Sequence, residues 1–200
     1  MPVAVNKAIV LPFLASIAML TSCGEVQDEK VLTLAHGLDE GHTVHRAMVL
    51  MGERLEEYSD GQLRIAIYSG GQLGSERETL ELLQIGSLAM TKVSASPLEG
   101  FVPTLKLFSI PYIFKDRDHH LRVLDSEIGE HLLDSLKVAR LKGLGYYDAG
   151  SRSFYTNRRP INSPADLEGL KIRVMKSQTS VRMVAELGGS PTPISLGEIY

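Results

Sequence analysis

Five consecutive segments alternate between two hydrophobic periodicities, and no other feature of the sequence constrains the fold more strongly. Residues 31–37 (VLTLAHG) and 62–71 (QLRIAIYSGG) alternate apolar and polar positions, as β-strands do. Residues 42–61 and 74–87 place apolar side chains three and four positions apart, as amphipathic helices do. A third strand is predicted at the start of residues 88–100 (LAMTKVSASPLEG). The order strand, helix, strand, helix, strand predicts an α/β fold with largely parallel pairing.

Ligands of such sheets bind in crevices beyond the carboxyl ends of the strands, so the residues after each strand are the first candidates. Glu76 is a further candidate, because it and Glu78 lie in the first turn of the second predicted helix. Two explanations of these acids remain open. Their negative charges stabilise the N-terminus of the helix, or their carboxylates accept hydrogen bonds from a ligand's hydroxyl groups. The residues after the strands are His36 and Gly37, Ser69 to Gln72, and Ser94 to Pro97.

The second half of the chain predicts further elements and a crossing between two domains. A helix is expected over residues 116–134, and residues 139–157 combine a predicted strand with three closely spaced glycines. Residues 170–175 (LKIRVM) alternate, with Arg173 on the polar side of the strand. Residues 179–189 predict a helix capped by Thr179 or Ser180. Ser195 is predicted to cap a helix just before the sequence stops, a pattern that we interpret as truncation.

The N-terminal segment is typical of an export signal. Lys7 is the only charge before Cys23, and residues 8–20 form an apolar run too short for a comfortable membrane span. The segment ends Leu-Thr-Ser-Cys, which resembles a bacterial lipobox, although Gly or Ala is commoner before the cysteine. We predict a lipoprotein-type signal peptide over residues 1–22, a lipid on Cys23 and a polar tether over residues 23–30. The alternative is an ordinary secretory signal with Cys23 incidental; in both cases the mature chain is exported.

The composition excludes several classes of function. The 200 residues are 44% hydrophobic and 22% charged with a net charge of −3, which is typical of a globular protein without a nucleic-acid-binding surface. No phosphate-binding loop, dinucleotide fingerprint, nucleophile elbow or zinc-protease motif is present. His42 and His45 could form a metal pair, but no third ligand has suitable spacing. We therefore expect no cofactor, no metal and no catalytic residue.

Four stretches, in this order and near the right spacing, resemble the solute-binding proteins of TRAP transporters (tripartite ATP-independent periplasmic transporters). They are IYSGGQLGSERETLELLQIGSLAM, FSIPYIFKDRDHHLRVLDSEIGEHLL, RSFYTNRRPINSPADLEGLKIRVM and LGGSPTPISLGEIY. The resemblance covers nearly everything from Val31 to Tyr200. It implies a two-lobed periplasmic binding protein fold, with the first α/β lobe over residues 31–148 and the start of an incomplete second lobe over residues 149–200.

The resemblance also implies a site and partners. Arg173 matches the family arginine that forms a salt bridge with the substrate carboxylate, which its planar fork of donors suits. Arg152 matches a second arginine that faces the ligand. In the first lobe, Ser94 and Ser96 match a loop that faces the cleft, and His36 and Glu76 are the other candidate contacts.

The ligand implied by the resemblance is a small organic acid. Hydroxyl side chains at Ser94 and Ser96 and the stretch SRSFYTN favour a sugar acid, a uronate or an aldonate, over C4-dicarboxylates and other small acids. The other implied partners are the TRAP membrane subunits, met in the periplasm or at the outer face of a bacterial membrane. The alternatives are a sensor or ligand-presenting module with the same fold and, less favoured, an exported enzyme.

Overall fold

The computed structural model describes residues 29–157 and 159–199. The predicted signal peptide, Cys23 and most of the predicted tether lie outside the described residues. Lys30 already belongs to the first strand, since its backbone N–H donates to the Gln62 carbonyl at 2.8 Å. In chain order the helices and strands are β1 (Lys30–His36), α1 (Thr43–Tyr58), β2 (Leu63–Tyr68), α2 (Glu76–Gln84), β3 (Met90–Lys92), α3 (Ala95–Leu98), α4 (Arg117–Leu124), α5 (Glu127–Ser135), β4 (Lys171–Val174), α6 (Gln178–Glu186) and β5 (Ser190–Pro193), with short 3₁₀ helices at Pro103–Ser109, Leu136–Ala139, Pro164–Leu167 and Leu196–Glu198.

The first sheet has the strand order β2-β1-β3, and both of its pairings are parallel. The predicted alternation of strands and helices and the parallel pairing are therefore confirmed. Helix α1 packs under this sheet through Val44 and Met48, which form a buried core with Leu34 of β1. Because the three strands run in the same direction, their carboxyl ends, and the loops that follow them, lie along one edge of the sheet.

The single helix predicted over residues 116–134 is wrong: the structure has two helices, α4 and α5. The Ser126 hydroxyl oxygen accepts from the Ile128 N–H at 3.2 Å and so starts a new helix. At this break the two segments come so close that a Cβ on Gly129 would lie 2.0 Å from the Leu124 carbonyl oxygen. Sequence periodicity continues through the break, whereas the backbone does not.

The predicted strand within residues 139–157 is also wrong. Residues 141–156 form neither helix nor strand, because this stretch pairs with no neighbouring strand in the part of the chain that the structure describes. Side chains hold it instead: the Tyr146 hydroxyl donates to the Gly129 carbonyl at 2.8 Å. The stretch runs from the first sheet and its helices to the second sheet.

The second sheet pairs β4 with β5 in parallel and covers them with α6. The sequence interpretation missed β5, which contains Pro191 and Pro193. The Ser190 N–H donates to the carbonyl of Leu170, just before β4, and the N–H of Ile194, just after β5, donates to the Val174 carbonyl. The prolines fall between these donors, so the pairing tolerates them. A separate core supports this sheet: Leu167, Leu170, Ile172, Val174 and Val184.

We call β1–β3 with α1–α5 the first lobe, and β4, β5 and α6 the second lobe. The boundary at residue 148 stays a prediction. The cap of α6 is Ser177, whose hydroxyl oxygen accepts from the Ser180 N–H at 3.1 Å, so Thr179 and Ser180, predicted as caps, lie inside the helix. Among residues 29–157 and 159–199, every helix falls short of the length and apolarity needed to cross a membrane.

Candidate ligand-binding site

The first turn of α2 and the carboxyl end of β3 bring three polar side chains together. One Glu76 carboxylate oxygen, Oε1, accepts from the Ser94 N–H at 2.8 Å and from the Ser94 hydroxyl at 3.0 Å. The Lys92 Nζ lies 3.9 Å from the same oxygen. Only 21% of the Glu76 side chain and 14% of the Lys92 side chain are exposed. Glu76 is therefore held in place by its neighbours from β3 and the following loop.

The two acids at the start of α2 have different roles. Glu78 Oε2 accepts from the Ser75 N–H at 2.7 Å while the Ser75 hydroxyl oxygen accepts from the Glu78 N–H, which is a complete capping box. These hydrogen bonds lower the pKa of Glu78. Helix capping thus explains Glu78 but not Glu76, whose side chain is bound to Ser94. A ligand contact through Glu76 stays a prediction.

Lys92 is a candidate site residue that the sequence interpretation missed. It is the last residue of β3, at the carboxyl end of the strand, where its position among the candidate residues could have been recognised. Burial lowers the pKa of Lys92; Glu76 opposes the shift and the positive charge of Arg152 adds to it. Lys92 is thus a desolvated cation beside one carboxylate and close to another cation.

Arg173 lies on the exposed side of β4, as the alternation predicted. Its Nε donates to the Ile194 carbonyl at 2.9 Å, just beyond β5, which fixes the guanidinium plane. Neither terminal nitrogen donates a hydrogen bond within the described residues. Burial lowers the pKa of Arg173, the charge of Arg152 lowers it further, and Glu76 and Tyr155 oppose the shift. The terminal fork of Arg173 is consequently pre-oriented and within electrostatic range of Glu76 in the first lobe.

Arg152 completes the group from the irregular stretch between the lobes. Its side chain is exposed, and its charge acts on both Lys92 and Arg173. We call Glu76, Lys92, Arg152 and Arg173 the cationic cluster; its three cations and one carboxylate leave two positive charges in excess. Such a group suits a ligand that carries a carboxylate, and the carboxylate within the cluster can accept from hydroxyl groups.

His36 and Ser96 differ from what was predicted for them. His36 is not on a loop but ends β1, since the ladder continues until it pairs with Lys92. It is 1% exposed, and both ring nitrogens are occupied: Nδ1 accepts from the Leu38 N–H at 3.1 Å, so Nε2 carries the proton and donates to His45 Nδ1 at 3.0 Å. Burial lowers the pKa of His36, and the charges of its neighbours lower it further. Ser96 is buried in α3 and its hydroxyl oxygen accepts from the Ser109 hydroxyl at 3.0 Å.

The histidine pair on α1 has structural partners. His42 Nδ1 accepts from the Val44 N–H at 3.1 Å and starts α1, and His45 bonds to His36. Within residues 29–157 and 159–199, no three histidine, cysteine, aspartate or glutamate side chains are placed to hold a metal ion together.

Comparison with known proteins agrees with this architecture. The family described as bacterial extracellular solute-binding protein, family 7, matches residues 34–200. The chain is 31% identical over 188 residues to the sialic acid-binding periplasmic protein of Vibrio cholerae, across 92% of this chain and 58% of the relative.

Solved structures are similar as well. A TRAP periplasmic solute-binding protein of Bradyrhizobium sp. BTAi1, crystallised with galacturonate, superposes with a TM-score of 0.81 at 40% identity and covers 86% of this chain and 57% of that one. A counterpart from Citrobacter koseri with bound D-glucuronate gives a TM-score of 0.80 at 34% identity, covering 84% and 56%. The chain thus spans a little over half the length of these relatives.

Proposed function

Because the chain belongs to family 7 of the bacterial extracellular solute-binding proteins, we propose that it captures a sugar acid for a TRAP transporter. The resemblance to TRAP solute-binding proteins that four sequence motifs indicated is thereby confirmed. The observation that carries the ligand class is the cationic cluster, in which Lys92 lies 3.9 Å from the Glu76 carboxylate and Arg152 and Arg173 bring two further positive charges within electrostatic range of this pair. The uronates bound by the structural relatives support the same ligand class.

The cluster offers a separate partner to each part of a sugar acid. The terminal fork of Arg173 binds the ligand carboxylate through two parallel hydrogen bonds, and Arg152 adds a second positive charge. Lys92 donates to a ring or chain oxygen. Glu76 Oε2, which accepts no hydrogen bond among the described residues, accepts from a ligand hydroxyl, and the Ser94 hydroxyl lies beside it. A neutral sugar would satisfy Glu76 but leave the cations without a counter-charge. His36 and Ser96 are buried and already hydrogen-bonded within the first lobe, so this arrangement gives them no ligand contact.

Calorimetry of the full-length protein with galacturonate, glucuronate, galactonate and galactose tests this proposal. The acids should bind and galactose should not. Arg173→Lys keeps the charge but loses the fork, so we expect a loss of about 1–3 kcal/mol, roughly ten- to hundredfold in affinity. Arg173→Ala should cost more. Lys171→Ala is the matched control, since Lys171 is exposed on the same side of β4 two residues earlier. Unchanged binding by Arg173→Ala would overturn the assignment.

The export and membrane partners belong to the same proposal. We infer that Cys23 becomes the lipidated N-terminus of the mature protein, which then stays at the outer face of the membrane close to the TRAP membrane subunits. Mass spectrometry of the membrane fraction should show a diacylated Cys23, and Cys23→Ala should release the protein. An unmodified mature chain that begins elsewhere would refute the lipid anchor while leaving the ligand assignment intact.

A transporter role differs from a sensor role in its partners. Genes for two TRAP membrane subunits beside this one, and loss of sugar-acid uptake when this gene is deleted, are the expected results. Normal uptake in the deletion strain, together with a lost transcriptional response to the acid, would favour the sensor instead. The proposed role includes no catalytic step, so a bound acid should be recovered chemically unchanged.

A further inference from the structure

Glu99, which lies outside the cationic cluster, joins the two lobes. It follows α3 directly, and its Oε1 accepts from the Thr179 N–H at 3.0 Å. Thr179 is in the first turn of α6, where backbone N–H groups lack partners inside the helix. A first-lobe carboxylate therefore caps a second-lobe helix beside the Ser177 cap, and its negative charge favours that helix end.

The location of this contact connects it to the ligand-binding residues on both sides. In the first lobe, α3 is one turn long; Ser94, at its start, binds Glu76, while Glu99 stands at its end. In the second lobe, α6 begins with Ser177, four residues after Arg173. The segment from Ser94 to Glu99 thus connects Glu76 of the cationic cluster to the N-terminus of α6, the helix that follows the strand of Arg173. A shift of α6 relative to α3 moves Arg173 relative to Glu76.

The second carboxylate oxygen of Glu99 indicates that this contact is favourable enough to outweigh an unfavourable buried atom. Oε2 is buried and has no hydrogen-bond partner among the described residues. A buried, unpaired polar atom is destabilising, so it persists where another interaction outweighs it. The Thr179 N–H and the positive end of α6 supply that interaction. A cleft of about 590 Å³, lined by basic side chains from both lobes, adjoins Glu99 and adds favourable charge; these side chains are Arg77, Lys106, Lys176 and Arg182.

We propose that Glu99 is a positioning residue that fixes α6 against α3 and thereby sets the distance between Arg173 and the first-lobe half of the site. Glu99 need not touch the ligand, and its effect reaches the ligand through the angle between the lobes. The inference rests on the proposed function for its effect on affinity. Its effect on the lobe angle is independent of any ligand.

Pulsed electron paramagnetic resonance measures a distance between the lobes, which changes with the angle between them. Spin labels on Glu53→Cys in α1 and Glu186→Cys in α6, both at exposed positions, report the distance between the lobes of the full-length protein in a Cys23→Ala background. Without ligand, Glu99→Ala should shift or broaden the distance distribution. Glu99→Asp, which keeps the charge but withdraws it by one methylene, should do the same. Glu99→Gln keeps an oxygen that can accept from Thr179 and should stay near the unsubstituted protein.

Asp116→Ala is the matched control. Asp116 Oδ1 caps α4 by accepting from the His119 N–H at 2.6 Å, entirely within the first lobe. Its loss should lower stability, as loss of a helix cap does, and leave the distance distribution unchanged. In calorimetry, the affinity of Glu99→Ala for galacturonate should be about tenfold lower than that of the unsubstituted protein. This loss is expected if the fraction of molecules whose lobes are arranged to bind the ligand falls to about a tenth.

The outcomes separate the two proposals. Distributions for Glu99→Ala and Glu99→Asp that match the control would overturn the positioning role. If Glu99→Ala does not fold, Glu99→Asp against Glu99→Gln still decides. If the distances shift as expected but even the unsubstituted protein binds no sugar acid, the positioning role stands and the proposed function fails.

Discussion

Replacing Glu76 by glutamine removes the carboxylate of the cationic cluster and leaves its three cations in place. The two hydrogen bonds from Ser94 to Oε1 change from charge-assisted to neutral. A hydrogen bond to a charged group contributes about 1.5–3 kcal/mol and a neutral one about 0.5–1.5 kcal/mol, so the two together lose about 2 kcal/mol. Lys92, 14% exposed and 3.9 Å away, also loses its counter-charge. We expect the free energy of unfolding to fall by about 2–3 kcal/mol.

Thermal unfolding followed by circular dichroism measures this loss, which corresponds to about 4–12 °C in Tm at about 2–4 °C per kcal/mol. Lys92→Met should cost less, because Glu76 keeps both Ser94 donors. In the double variant Lys92→Met removes the ammonium group that Glu76→Gln leaves without a counter-charge. The double variant should therefore be less destabilised than the sum of the two single variants, by about 1 kcal/mol or more. An unchanged Tm for Glu76→Gln, or single effects that simply add, would refute this account of the cluster.

Three further predictions concern the folded framework. In the unfolded chain His36 takes up a proton near pH 6.5, whereas burial in the folded protein opposes its protonation. The free energy of unfolding should therefore fall as the pH drops below about 6.5, and His36→Gln should weaken this pH dependence in urea titrations. An equal pH dependence of the free energy of unfolding in both proteins would contradict the prediction. Gly129→Ala should unfold the α4–α5 corner or the whole lobe, because its Cβ would lie 2.0 Å from a backbone oxygen. The control is Gly145→Ala, whose Cβ would meet no atom within 4 Å, so its Tm should stay near that of the unsubstituted protein. Equal Tm values for the two variants would disprove the close approach. Ser75→Ala should cost about 1 kcal/mol through the lost cap of α2, and a loss below a few tenths of a kcal/mol in the same melts would show that Glu78 alone suffices.

The elements that the sequence predicted correctly are those governed by neighbours along the chain. Strands β1, β2 and β4 follow from alternation, and α1 and α2 follow from apolar spacing. The capping box that Ser75 and Glu78 form is equally local, because both partners lie within one helical turn. Arg173 falls on the polar side of β4 for the same reason, since strand geometry alone decides the side on which a residue lies.

The errors occur where contacts between elements, and not periodicity along the chain, decide. The break between α4 and α5 depends on how closely Gly129 approaches Leu124, and periodicity does not encode that distance. Strand β5 contains two prolines that discourage a strand assignment, and it forms because Arg173 and its neighbours supply a parallel partner in the right register. The stretch around Arg152 has strand-like residues, but within residues 29–157 and 159–199 it pairs with no strand, and it stays irregular.

The sequence by itself determined the fold class and, through its motifs, the family, and it marked Arg173 as the candidate carboxylate-binding arginine. Only the tertiary structure decided the composition of the site. The hydrogen bonds to Ser94 distinguish Glu76 from Glu78, which caps its helix. Lys92, at the end of β3, joins the candidate site, and His36 is buried between hydrogen-bond partners. The physical reason is that a side chain's charge, desolvation and hydrogen bonds come from atoms contributed by several elements, and their meeting is set by packing rather than by spacing along the chain.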